Sequence, residues 1–169
     1  MKPLAAHGGK IAFVVIVAVA LVLLPWTTAP DFTLPTMLGS LQLTGGHSRE
    51  EAREIVNRMH DKSVSPDENL IGNYRSPEGE ATLYVSLYGE PSAAAKDFRR
   101  MLLLIQPGGP VFRDFQQMSV AGKEVAFCRG LGQWHYFFAR GNALYWLAAD
   151  EPVAEMAILH LLESPPRRS

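Results

Sequence analysis

Cysteine is nearly absent from this chain: Cys128 is the only one among 169 residues. A single thiol excludes an internal disulfide framework and any CxxC zinc or redox centre. It also lies too far along the chain to be a lipid-modified residue behind an export signal. An excess of one charge sign is missing as well. Sixteen Lys and Arg stand against 17 Asp and Glu, a net charge of −1, so there is no basic footprint for a nucleic acid. His7, His47, His60, His135 and His160 show no HExxH spacing, and neither a metal nor another cofactor is expected. Gly108-Gly109 and Gly130-Leu131-Gly132 lack the GxxxxGK[ST] pattern and read as turns rather than phosphate loops. Carboxylates do not gather into a catalytic pair. Glu50, Glu51 and Glu54 alternate with Arg49, Arg53 and Arg58 as the solvated side of a helix, with Glu54 and Arg58 at i,i+4 spacing. Asp97, Arg99 and Arg100 have the same explanation on a second helix. No motif names a family or a reaction.

What is present is one long apolar run. Ile11 to Leu24 reads IAFVVIVAVALVLL, and 11 of its 14 residues are Ile, Val, Leu or Phe. At about −0.3 to −0.6 kcal/mol each, these favour the bilayer by roughly 3 to 7 kcal/mol. As a helix rising about 1.5 Å per residue, Ile11 to Trp26 is roughly 24 Å long, slightly short of a hydrocarbon core of about 30 Å. Lys10 can snorkel to the headgroups and Trp26 can anchor at the far interface. Lys2 and Lys10 precede the run, and no Lys or Arg follows it until Arg49. This asymmetry predicts a cytoplasmic N-terminus over residues 1–10, a transmembrane signal anchor over 11–26 and an extracytoplasmic remainder, periplasmic in a bacterium. The alternative is secretion after signal cleavage. Against it, Ala18-Val19-Ala20 lies inside the apolar core, and Pro30 follows Thr27-Thr28-Ala29 where cleavage is unfavourable.

Pro25, Pro30 and Pro35 recur at five-residue intervals, which favours a Pro-rich stalk over residues 27–40. An α+β domain is expected over 41–163 and a flexible tail over 164–169. Met37 to Leu43 alternates weakly and predicts an edge strand broken at Gly45-Gly46. Ser48 and Glu51 form an S-x-x-E capping box, and Ala52, Ile55, Val56 and Met59 then recur at helical spacing to about Lys62. Leu70 to Arg75 and Ala81 to Tyr88 predict a hairpin around Pro77-Glu78-Gly79. Pro91 opens a second helix, whose face carries Ala94, Phe98, Met101, Leu102 and Ile105, and Pro107-Gly108-Gly109-Pro110 ends it. Four strands follow: Val111 to Ser119, Lys123 to Arg129, Gln133 to Arg140 and Ala143 to Ala149. Asp150 is the expected cap of a third helix that has Pro152 in its first turn. Connections this short exclude parallel crossovers among the last four strands. The expected fold is therefore an N-terminal transmembrane helix followed by a two-layer α+β sandwich, a mostly antiparallel sheet with about three helices on one face.

A two-residue loop at Gly141-Asn142, type II′ from its leading glycine, pairs Phe138 with Tyr145, Phe137 with Trp146 and Tyr136 with Leu147. His135, Phe137, Leu144 and Trp146 then share the helix-covered face. A three-residue loop before Gln133 adds Val125 and Phe127 to them. The opposite face gathers Glu124, Ala126, Cys128, Trp134, Tyr136, Phe138, Tyr145 and Leu147. In the earlier hairpin, Thr82, Tyr84, Ser86 and Tyr88 alternate against Leu83, Val85 and Leu87 and suggest the same outer surface. Tyr and Trp combine an apolar body with a polar handle and suit a half-wet contact surface. Tyr84, Tyr88, Trp134, Tyr136 and Tyr145 are accordingly the candidate partner-binding residues. Cys128 and His135 fall on opposite faces in this register, so they are not paired as nucleophile and base.

The expected function is that of a single-pass membrane-anchored protein whose non-catalytic extracytoplasmic domain binds or scaffolds a partner. Its partners are the lipid bilayer through Ile11 to Trp26 and a membrane or periplasmic protein through the aromatic face. The alternative is a small-ligand carrier or enzyme with a pocket between sheet and helices, lined by His135, Phe137 and Trp146.

Overall fold

A computed structural model describes residues 32–60, 66 and 68–164. The apolar run expected to form the anchor and the tail beyond Ser164 both lie outside the described residues. Among the described residues no helix is long and apolar enough to cross a membrane.

Among the described residues eight strands and three helices follow one another: β1 (Met37–Leu38), β2 (Leu41–Ser48), α1 (Arg49–His60), β3 (Glu68–Ser76), β4 (Gly79–Leu87), α2 (Pro91–Ile105), β5 (Phe112–Val120), β6 (Lys123–Gly130), β7 (Gln133–Arg140), β8 (Ala143–Ala149) and α3 (Glu151–Glu163). All strands join one sheet in the order β1-β2-β3-β4-β8-β7-β6-β5. Every pairing is antiparallel. Two locally connected halves therefore meet where β4 pairs with β8, with Tyr84 opposite Trp146 and Val85 opposite Tyr145.

The helices occupy both faces of the sheet, which corrects the expected single covered face. On one face α3 lays Val153, Ala157, Ile158 and Leu161 over Leu83, Val85, Phe138, Tyr145 and Leu147. On the other, Phe98 and Leu102 of α2 cover Ala126, Cys128 and Phe137, and α1 buries Ala52 beside β3. The physical reason is visible in β8, whose sequence ALYWLAA contains no residue fit for open water on either side. A strand covered on both faces reads as a continuous apolar run rather than an alternation.

Turn geometry decides the register. At Gly141-Asn142 only Gly141 has a positive φ, 57°, as a type II′ turn requires. Phe138 faces Tyr145, Phe137 faces Trp146 and Tyr136 faces Leu147, as the loop length predicts. The preceding turn has two residues rather than three. Leu131 (φ 52°) and Gly132 (φ 82°) are both left-handed, a type I′ turn that pairs Gly130 with Gln133 and Cys128 with His135. This one-residue difference reverses β6. Ala126 and Cys128 lie with Phe137, whereas Val125 and Phe127 lie on the face of Tyr136.

Three local expectations also change. Residues from Phe32 belong to the domain rather than to a stalk. Phe32 and Leu34 pack on the core, Tyr74 donates its hydroxyl to the Pro35 carbonyl at 2.9 Å, and Met37–Leu38 pairs with β2. The strand β2 passes through Gly45-Gly46 with a shift of register instead of ending there. At the start of α1, Arg49 has a positive φ of 55°. Glu51 reaches back past Ser48 to His47 Nδ1 at 2.8 Å. At the start of α3, Asp150 occupies the cap position without a side-chain cap bond. Its carboxylate instead accepts from the Glu80 backbone N–H at 2.9 Å and from Gln133 Nε2 at 3.0 Å. The other end of α3 is closed by cations: Lys123 donates to the Leu162 carbonyl at 2.7 Å, and Arg140 to those of Leu162 and Ser164. These satisfy carbonyls that a helix end leaves free.

Candidate functional site

The candidate partner-binding residues fall on two surfaces, not one. Because Tyr84 pairs with Trp146 and Val85 with Tyr145, Tyr84 belongs to the α1/α2 face and Tyr145 to the α3 face. Tyr145 is 3% exposed and stacks on Phe138 at 4.6 Å with an interplanar angle of 6°. It is a core residue under α3. Trp134 and Tyr136 sit half-buried at the margin of the same face. There they pack with Phe127, and the Arg129 guanidinium lies 4.2 Å from the Trp134 ring. The expected aromatic platform is thus divided: Tyr84 and Tyr88 look one way, while Trp134, Tyr136 and Tyr145 look the other.

Tyr84 and Tyr88 instead line a cleft between α1 and α2. Val56 and Met59, one turn apart on α1, form one wall, and Asp97, Arg100, Met101 and Leu104 of α2 form the other. The floor is Tyr84, Ser86, Leu144 and Trp146 from the β4–β8 seam, around a cavity of about 170 Å³. The polar groups at its base are already committed to one another. Tyr88 donates its hydroxyl to Asp97 Oδ2 at 3.1 Å, and Ser86 donates to Asn69 Oδ1 at 2.8 Å. The buried Asn69 donates through Nδ2 to the Pro66 carbonyl at 2.9 Å. Burial raises the Tyr88 pKa, and the Asp97 charge and its hydrogen bond add to the effect. Burial alone raises that of Tyr84. Both phenols are therefore neutral donors at ordinary pH, and the cleft presents an apolar, uncharged floor.

Beneath α2, His135 and Cys128 share a face, opposite each other in register. Both imidazole nitrogens are engaged: Nε2–H donates to the Gly130 carbonyl at 2.8 Å, and Nδ1 accepts from Trp146 Nε1 at 3.0 Å. Burial lowers the His135 pKa, partly opposed by the bond to Gly130. Burial also pushes the Cys128 thiol up to about 11. The imidazole has no free nitrogen with which to take the thiol proton, so the pair is not arranged as nucleophile and base. His135 and Phe137 are closed off beneath Phe112 and α2. Of the three residues expected to line a pocket, Trp146 alone reaches the cleft.

A second cleft of about 410 Å³ lies on the α3 side, lined by Phe32 to Met37, Arg140, Tyr145 and His160. Its one guanidinium is turned onto the carbonyl end of α3. Among the described residues no group of three His, Cys, Asp or Glu side chains could hold a metal ion. Comparison with protein-family models, with characterised proteins and with solved structures finds no match to this chain.

The walls of the cleft carry a sequence signal beyond helical periodicity. Met101-Leu102-Leu103-Leu104-Ile105 is apolar all round for more than a turn, more than one buried face needs. Leu102 is buried, Met101 and Leu104 reach the cleft and Leu103 projects outward.

Proposed function

We propose that this is a single-pass membrane-anchored protein whose extracytoplasmic α+β domain is non-catalytic and binds a partner in the cleft between α1 and α2. The observation that carries the reading is the cleft itself: a largely apolar cavity over Tyr84 and Trp146, beside which Tyr88 and Ser86 are bonded to Asp97 and Asn69. Such a site gains free energy from apolar area removed from water. At about 170 Å³ it falls below the roughly 300 to 1,000 Å³ of pockets that enclose drug-sized ligands, and it suits one or two projecting side chains of a protein partner. Anchoring supports this use, because a tether raises the effective concentration of the domain near other membrane proteins.

A photocrosslinking residue in place of Val56 in the full-length chain, in intact membranes, is expected to give an adduct of discrete mass. Met101→Glu, which places a charge in the cleft, should abolish that adduct, while the same probe at Leu131 gives none. Equal yields from both positions, or indifference to Met101→Glu, would remove the cleft from consideration. A reporter joined after Ser169 should be active only outside the cytoplasm. The alternative of a small-ligand carrier is favoured by the volume of the α3-side cleft, about 410 Å³. A bound small molecule recovered from purified protein and lost on Tyr145→Trp would establish it.

A further inference from the structure

The two helices that wall the cleft leave a particular surface outside it. Met59, Leu103 and Leu104 are 54%, 71% and 73% exposed, a high exposure for three large apolar side chains on neighbouring helices. Arg58 adjoins Met59, while Arg99 and Arg100 precede Leu103 and Leu104 by one turn. All three guanidinium groups are exposed, and none forms an ion pair among the described residues. Glu54, at the right spacing on α1, makes no bridge to Arg58. The one acid on α2, Asp97, is half-buried and bound by Tyr88. Met59, Arg100 and Leu104 line the same cleft, so the apolar tips and the cations belong to one continuous surface.

We propose that this surface, at the C-terminal ends of α1 and α2, docks on an anionic lipid bilayer. Met59, Leu103 and Leu104 enter the headgroup layer and the three arginines meet lipid phosphates. Apolar tips ringed by long cationic side chains are the composition by which helices lie in a membrane interface. The exposed guanidinium groups complement anionic headgroups, whose attraction falls off within a Debye length. The inference rests on the anchored reading in one respect, the nearness of the bilayer. In an anchored chain the residues from Trp26 to Phe32, even if fully extended at about 3.3 to 3.6 Å per residue, would span at most roughly 20 Å, a tether short enough for the domain to reach the bilayer. Docking would then present the cleft at the level of the headgroups, where the ends of integral partners emerge.

The test uses the full-length chain reconstituted into phosphatidylcholine vesicles with or without phosphatidylglycerol. An environment-sensitive dye is attached at Leu103→Cys or, as a control on the opposite face of the sheet, at Met156→Cys. The native Cys128 is fully buried and stays unlabelled. With phosphatidylglycerol present, the dye at 103 is expected to shift to the blue and to be quenched several-fold more by brominated acyl chains than the dye at 156. Arg99→Gln with Arg100→Gln, or omission of the anionic lipid, should remove the difference. Equal quenching at the two positions overturns the proposal. A blue shift without acyl-chain quenching also overturns it and points to a protein contact, such as a second copy. Flotation with vesicles of phosphatidylcholine alone reports the anchor separately. A chain that floats but shows no quenching at 103 retains its anchor and loses this surface. A chain that fails to float, yet is quenched at 103 on anionic vesicles, loses the anchor and keeps the surface.

Discussion

Trp146 donates its indole N–H to His135 Nδ1 at 3.0 Å, and this bond fixes the proton of His135 on Nε2, from which it reaches the Gly130 carbonyl. The imidazole is held neutral as a relay between a strand and a turn. Its pKa lies below the ordinary 6.5 because burial penalises the cation. In the unfolded chain the group takes up a proton as pH falls through 6.5, while in the folded chain it does so only at lower pH. The unfolded state therefore binds more protons in this window, and stability falls as pH drops through it. His135→Asn is expected to cost about 1–3 kcal/mol at neutral pH from lost buried hydrogen bonds. The gap between wild type and variant should narrow below pH 6.5, as read from urea midpoints. A gap that widens on acidification would contradict the neutral relay.

Phe138 and Tyr145 stack beneath α3, so they behave as core. Phe138→Ala is expected to cost about 3–5 kcal/mol, in the range for a buried aromatic. The half-exposed Trp134→Ala should cost about 1–2 kcal/mol. Chemical denaturation of the two variants gives the ranking, and a smaller loss at Phe138 would restore the idea of an open face there.

Asp150 ties β4 and β7 to the start of α3 through Glu80 and Gln133. Asp150→Ala should cost about 1–2 kcal/mol, given two bonds to a partly solvated acceptor. Asp150→Ser separates bridging from capping. Serine is a good N-cap residue but too short to hold both partners, so it should not restore the loss in a thermal melt.

Leu131 pays for its turn in strain: it is 76% exposed and has a φ of 52°. Leu131→Asn, which tolerates that conformation before Gly132, should stabilise the domain by about 1 kcal/mol. The thermal midpoint is expected to rise with no change in the near-ultraviolet spectrum.

These particulars show which parts of the structure local chemistry encodes. Loop length at Gly141-Asn142 determined the β7–β8 register residue by residue, and the element order followed from proline, glycine and period. At Gly130-Leu131-Gly132 the same logic failed. Leucine is a poor residue for a left-handed position, and only tertiary closure of the hairpin holds it there. The choice of covered face was harder still. In β4, Leu83, Val85 and Leu87 alternating with Thr82, Tyr84 and Ser86 look like a closed and an open side, but a second helical layer can cover the tyrosine side equally well. The absence of polar residues from β8 carried that information. The cleft was the least legible, because its floor comes from β4 and β8, which pair across about sixty residues of chain. Apolar spacing located the walls on α1 and α2 but could not bring them together.

That pairing also gives the fold a schedule. The strand that joins the two halves is the last one made, so a chain synthesised from its N-terminus cannot close its sheet until Ala149 has emerged. Up to that moment β4 keeps a bare row of backbone donors and acceptors on one side, the kind of edge that recruits foreign strands. Premature termination anywhere between Leu87 and Ala143 would leave an adhesive fragment rather than a smaller working domain.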